Sequence, residues 1–329
     1  MNDLKSKLQI ILVPLGSCAA NKTKYQLHSA YLIEIIYENE KIYQILLDAG
    51  NKRILNKNGI NSEGYINPKL LKTILISHSH IDHTLYLHEL LNCIIKSNLD
   101  FNEPIKIIIH KNAWKKYKKF KSILLLLKFN KPNFGLIEQS SKIQFILPNI
   151  LARNKNNFNF NYFSTIKVEN LRIKLNDFEF IVVEIKATNA IHNPNALAYR
   201  LNFKLNSSSA SNSTYMDLFS FIYSPDTRFD SYNLVEFAKD SDYWLLDSTF
   251  NEKYLEKHKH KIKLTHSSPK YSAILCEKSN TKNYIFAHYY WKRFTNDFGK
   301  IEEIVKPQIS KYFKNNVVIS KDLIKIKLF

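Results

Sequence analysis

Ser77-His78-Ser79-His80-Ile81-Asp82-His83 places four metal-capable side chains within six positions, directly behind the apolar run Thr73-Ile74-Leu75-Ile76. A buried strand that ends in a loop can turn such side chains into one pocket. His78, His80, Asp82 and His83 offer imidazole nitrogen and carboxylate oxygen, the donors that suit zinc or a similar divalent ion. The chain has 11 histidines and three of them lie in this loop, so a surface cluster without a role is the weaker reading.

Outward from this loop the pattern alternates between strand and helix. Residues 8–15, 31–36, 43–48, 73–76 and 105–109 are apolar and β-branched, as strands are. Leu85, Leu87, Leu90, Leu91, Ile94 and Ile95 recur near helical spacing over 84–96. Lys111 to Lys128 reads as a basic helix. Further strands are expected at 142–147, 171–174, 179–186, 196–203, 219–223, 242–246, 283–287, 315–319 and 323–328, and further helices at 232–239, 269–278 and 300–313. Residues 153–164 and the polar tract 206–214 (NSSSASNST) read as loops. Neither separates two self-contained cores. The expectation is one domain over 1–329 with an insertion around 111–165, of α/β (α+β) class, built as two sheets packed face to face with helices outside.

The 329 residues are 45% hydrophobic and 23% charged, enough apolar side chain for a core, which excludes a wholly disordered chain. No apolar run reaches the roughly 18 residues of a membrane span. The first residues, MNDLKSKLQIILVPLG, carry Asp3 and no small-residue cleavage site, and read as a strand rather than a secretory signal. Three cysteines without CxxC spacing indicate neither a disulfide framework nor a thiolate metal site, and fit a reducing, cytoplasmic setting. The net charge of +19 favours a polyanionic partner such as nucleic acid. Richness in Lys, Asn, Ile, Tyr and Phe is also what an AT-rich genome produces, so charge alone leaves both readings open.

The HxHxDH run resembles the metallo-β-lactamase superfamily. That resemblance implies a four-layer αββα sandwich and two divalent ions, zinc first, with manganese or magnesium as alternatives. It also implies further ligands downstream. His192, in KATNAIHNPNALAYRL, is similar to the family's solitary third-motif histidine. Asp226, in YSPDTR, is similar to its bridging aspartate, with Pro225 where the family has Gly. His288, in NYIFAHYYWKR, fits the last ligand. Carried over, His78, His80 and His192 would hold one ion, Asp82, His83 and His288 the other, and Asp226 both. Asp82 would also orient or deprotonate the attacking water. Asp48, in LLDAG, would buttress the metal loop by hydrogen bonds. Asp247, in WLLDSTF, is a weaker rival to Asp226 and a candidate to orient His266.

Within the superfamily the chain resembles ribonuclease Z, the tRNA 3′ endonuclease. LTHSS at 264–268 is similar to that family's HST segment, and 22 positions separate His266 from His288. His288-Tyr289-Tyr290-Trp291-Lys292-Arg293 is similar to its HFSxRY element, and the tail from Ile301, with Asp322 after a strand, to its ending. The resemblance implies a metal-dependent endoribonuclease acting on precursor tRNA, forming a homodimer, not membrane-bound, with His266 protonating the leaving oxygen or steadying the phosphate. Several features depart from the family. Leu246-Asp247 stands where the family has His-Glu. The Pro-x-Lys-x-Arg-Asn loop is represented by Lys24 alone. The 34 residues from His192 to Asp226 hold no Gly/Pro-rich gripping arm. The basic aromatic run KNAWKKYKKFK at 111–121 is the expected replacement, with Lys115, Lys116, Lys118 and Lys119 on tRNA phosphates and Trp114 or Tyr117 stacking. Two rivals stand beside this reading: a phosphodiesterase of the same fold acting on a small cyclic-nucleotide-type substrate, and a basic RNA-binding protein with a decayed site.

Overall fold

A computed structural model describes residues 6–19, 26–55, 65–97, 103–126, 134–148, 165–177, 179–192, 195–209, 212–258 and 265–329. The chain divides into two compact units, residues 1–149 with 321–329, and residues 150–320.

The first unit carries β1 (Leu8–Gly16), β2 (Ala30–Tyr37), β3 (Glu40–Leu47), β4 (Leu71–Ile76), β5 (Ile105–Ile109), β6 (Ile143–Ile146) and β14 (Ile326–Lys327). They form one sheet in the order β14-β1-β2-β3-β4-β5-β6. Pairing is antiparallel from β14 to β3 and parallel from β3 to β6. The parallel strands read as continuous apolar runs because they are buried on both faces: Ile74, Leu75, Ile107 and Ile108 are all fully covered.

Helix α1 (Ile81–Thr84) is a single turn that starts inside the histidine loop, and α2 (Leu87–Lys96) follows it. The helix expected over 84–96 is α2, which starts three residues later. Leu87, Leu90, Leu91 and Ile94 repeat at helical spacing and pack into one cluster with Ile74, Ile76, Ile107 and Ile109. Helix α3 (Lys111–Leu126) is the expected basic helix, and α4 (Phe134–Gln139) follows.

The second unit carries β7 (Ile166–Lys174), β8 (Glu179–Asn189), β9 (Leu197–Ser209), β10 (Asn212–Ser224), β11 (Tyr243–Asp247), β12 (Asn283–Ala287) and β13 (Asn316–Ile319), in the order β13-β12-β11-β10-β9-β8-β7. Here β10 to β13 are parallel and β7 to β10 antiparallel. Its helices are α5 (Asn233–Phe237), α6 (Glu252–His258), α7 (Pro269–Lys278) and α8 (Ile301–Ile309). Ala273, Leu275 and Cys276 of α7 and Ile301, Val305 and Ile309 of α8 cover Trp244, Leu246, Tyr284 and Phe286 of the parallel strands.

The polar tract 206–214 is a correction to the loop expected there. Ser209 pairs with Asn212 and Ser207 with Thr214, so β9 and β10 run almost to the tip of a long hairpin. Backbone hydrogen bonds carry that ladder and need no apolar alternation. The other expected loop, 153–164, lies outside the described residues. Among the described residues no helix is long and apolar enough to cross a membrane.

Candidate metal centre

In the first unit β3, β4 and β5 run parallel, so their C-terminal ends share one edge. Asp48 follows β3 there, and the histidine loop follows β4. Asp48 takes φ of 57°, a left-handed conformation that costs a non-glycine residue energy. The turn is held from both sides, because Ala49 N donates to His83 O at 2.7 Å and Tyr86 N to Ala49 O at 3.0 Å. Gly50 is needed there: a Cβ on it would lie 1.9 Å from the Asp82 carbonyl oxygen.

This geometry fixes the Asp48 carboxylate. One oxygen accepts from Ser77 N at 2.7 Å, and the other from Ser77 Oγ at 2.7 Å and from His83 Nδ1 at 2.6 Å. The proton of His83 therefore sits on Nδ1, and Nε2 is the nitrogen left to ligate, 3.7 Å from Asp82 Oδ2. The His78 ring lies 4.5 Å from that of His80 and 4.3 Å from that of His83. His78 and His83 are fully buried and Asp82 is 6% exposed.

In the second unit the site residues come from four separate strand ends. His192 follows β8, Asp226 follows β10, Asp247 ends β11 and His288 follows β12. Because β9 is antiparallel to both its neighbours, β8 points the same way as β10, β11 and β12. All four ends therefore meet at one sheet edge. Asp226 is the hub: Oδ2 lies 3.2 Å from His192 Nε2, and Oδ1 lies 3.1 Å from His288 Nε2. His192 Nδ1 donates to Thr265 O at 2.6 Å, which fixes its tautomer. Thr249 Oγ1 has one proton and two acceptors, Asp247 Oδ1 at 2.7 Å and His288 O at 2.8 Å, so it receives the Nδ1 proton of His288 at 3.0 Å. Both histidines thus present Nε2 to the carboxylate. His288, like Asp48, takes a left-handed backbone, with φ of 51°.

Asp247 is engaged differently. Its oxygens accept from Thr227 N at 3.0 Å, Thr249 N at 2.8 Å and His266 Nδ1 at 2.6 Å. Burial alone would raise its carboxyl, but the His266 and His288 rings outweigh that and hold it below the ordinary carboxylate value. His266 is thereby aimed by Asp247, with Nδ1 3.9 Å from Asp226 Oδ2. One atom from each of Asp226, Asp247, His266 and His288 lies within 4.8 Å of the others.

The donor set fits divalent metal. It is all imidazole and carboxylate, most of it is buried, and three histidines have Nδ1 held by a carboxylate, a carbonyl or a hydroxyl so that Nε2 is left for ligation. Two parts of this support went unread in the sequence: Ser77 and Thr249. The available signal was a hydroxyl residue beside each carboxylate or histidine it steadies.

The RNA candidates separate. Lys115, Lys116 and Lys119 are exposed on α3, whereas Lys118 pairs with Glu138 at 2.6 Å. Trp114 and Tyr117 are 2% and 1% exposed, which corrects the expectation that they stack on RNA. They form the helix's inner face, and their polar atoms are bonded to Glu138 and to the His88 backbone. Lys24 lies outside the described residues.

No family model and no curated protein matches the sequence. Solved structures do, and they give the class: the chain has the metallo-β-lactamase fold. It superposes on the metallo-β-lactamase fold protein YhfI from Bacillus subtilis with a TM-score of 0.59 at 14% identity, covering 97% of this chain and 99% of that one. A long form RNase Z from yeast gives 0.63 at 18% identity, over 98% of this chain and 42% of that longer one. Human tRNase Z, short form, gives 0.56 at 13% identity, over 97% and 99%.

Proposed function

We propose that this chain is a metal-dependent phosphodiesterase, an endoribonuclease that cleaves precursor tRNA at its 3′ end. The observation that carries this reading is the convergence, within the second unit, of His192, Asp226, His266 and His288 from four distant stretches of sequence. The fold shared with a long form RNase Z and a short form tRNase Z supports it.

In this reading residues 1–329 form one hydrolase domain. His78, His80 and His192 would hold one divalent ion and Asp82, His83 and His288 a second, with Asp226 a ligand available to both; zinc suits the donors, with manganese or magnesium able to substitute. Such ions supply Lewis acidity, polarising a phosphoryl oxygen and making water nucleophilic near neutral pH. Asp82 orients the attacking water and takes its proton. His266, held by Asp247, gives a proton to the leaving 3′ oxygen. Asp48 keeps His83 in its ligating tautomer. Lys24 and the exposed lysines of α3, with Lys118 beside them, attract tRNA phosphates. The protein works in the cytoplasm as a homodimer.

The test is incubation with a precursor tRNA carrying a 3′ trailer, with Zn²⁺ or Mn²⁺ supplied. Wild type cuts at the trailer junction and Asp82→Ala does not. Hydrolysis of bis(p-nitrophenyl) phosphate without tRNA cleavage selects the small-substrate phosphodiesterase. RNA binding with no metal uptake selects the decayed site.

A further inference from the structure

Beside His266 lies a group of side chains that the proposed hydrolysis does not use. The Phe250 ring meets His266 edge-on, with centroids 5.7 Å apart. Tyr254, on α6, stacks on Phe250 at 5.0 Å with planes 23° apart. The Arg293 guanidinium sits over both rings, 4.7 Å from the centroid of Phe250 and 5.5 Å from that of Tyr254. Arg293 is fixed there because Nη1 donates to Thr249 O at 3.0 Å and Asn251 Nδ2 donates to its carbonyl.

Core packing does not account for Tyr254. The small cluster around Phe250 is closed by Leu255, at 1% exposure, while the neighbouring Tyr254 is 37% exposed. Exposed Lys253 and Lys257 flank it on the same helix, whose Glu252 accepts from Lys270 N and whose Glu256 lies 3.8 Å from Lys270 Nζ, and exposed Lys292 precedes Arg293. A partly exposed aromatic ring backed by a second ring and a guanidinium, with lysines near it, is what a single-stranded nucleic acid engages: the base stacks and the cations meet phosphate. Two ring steps separate this platform from His266, about the reach of a neighbouring nucleotide.

We propose that Tyr254, backed by Phe250 and Arg293, is a stacking site for a nucleobase of single-stranded RNA next to the scissile phosphodiester. The position next to the scissile bond rests on the hydrolase reading above; the stacking itself does not.

The experiment uses the full chain and two short single-stranded RNAs, one bearing 2-aminopurine and one abasic at the same position. Wild type is expected to quench the 2-aminopurine on binding. Tyr254→Phe keeps the ring and the quench. Tyr254→Ala loses the quench and weakens binding of the base-bearing RNA about tenfold, while the abasic RNA binds wild type and variant alike. A quench unchanged in Tyr254→Ala, equal weakening of both RNAs, or no RNA binding by wild type overturns the site. Quenching without cleavage of precursor tRNA leaves the stacking site standing and removes the tRNA-processing reading. Cleavage without a Tyr254-dependent quench does the reverse.

Discussion

The two units assemble metal-capable residues in opposite ways. The first takes four of them from one loop of six positions, a single strand end. The second takes one each from the ends of β8, β10 and β12, with 96 positions from His192 to His288. Both nevertheless use the same support: a buried strand-end aspartate that accepts a histidine Nδ1 proton at 2.6 Å and is steadied by a hydroxyl residue. Asp48 is bound by Ser77, 29 residues away, and Asp247 by Thr249, two residues away. The histidine each one aims differs in kind, since His83 is a candidate ligand and His266 a candidate proton donor. The strand-end carboxylate is therefore the common element, and the role of its histidine is the variable one.

The largest test of that parallel removes one candidate ligand from each unit. Asp82→Ala and Asp226→Ala are each expected to lower phosphodiester hydrolysis by about a thousandfold or more, with lost metal in elemental analysis. Full activity in either variant would break the idea that both units contribute. His266→Ala is expected to slow RNA cleavage about 10²–10⁴-fold, and to do far less to a p-nitrophenyl ester, whose leaving group needs no proton. Equal losses on both substrates would remove the proton-donor role.

Replacing the two supporting aspartates sharpens the contrast. Asp48→Asn should weaken metal binding about 10–100-fold, read by titration, because His83 loses its tautomer. Asp247→Asn should mainly lower kcat, because His266 is what it aims. Changing Lys115, Lys116, Lys118 and Lys119 together to Glu is expected to weaken tRNA binding about tenfold and to flatten its salt dependence. An unmoved salt slope would take α3 out of the RNA interface.

The smallest effect is on acid stability. The Asp247 carboxyl is held below its ordinary value by His266 and His288 against the opposing pull of burial. Its ionised form therefore favours the folded state above the unfolded carboxylate range, and that stability is lost as pH falls through the folded value. Urea unfolding of metal-free protein across acid pH should show this loss in wild type and a flatter profile in Asp247→Asn.

Much of this molecule was legible in order along the chain. Thr73-Ile74-Leu75-Ile76 announced a buried strand because an apolar run without alternation has two covered faces, and Ile105–Ile109 a strand through its β-branched residues. HxHxDH announced a cluster of metal-capable donors because they are adjacent in sequence, and LLDAG pointed to Asp48 through its resemblance to the superfamily. The sequence also determined that α3 is helical and basic.

Which face of α3 meets water was decided only by tertiary packing: Trp114 and Tyr117 looked like an RNA platform until the sheet covered them, while Tyr254, on a helix unnoticed in the sequence, is the exposed ring. The support of His288 by Thr249 and of His192 by the Thr265 carbonyl was likewise invisible, because residues 39 and 73 positions apart become neighbours only when strand ends meet at a sheet edge. Local sequence fixes which donors exist and the backbone shape that carries them. The proton each donor keeps, and so the chemistry it can do, depends on partners that only the folded chain brings within hydrogen-bond reach.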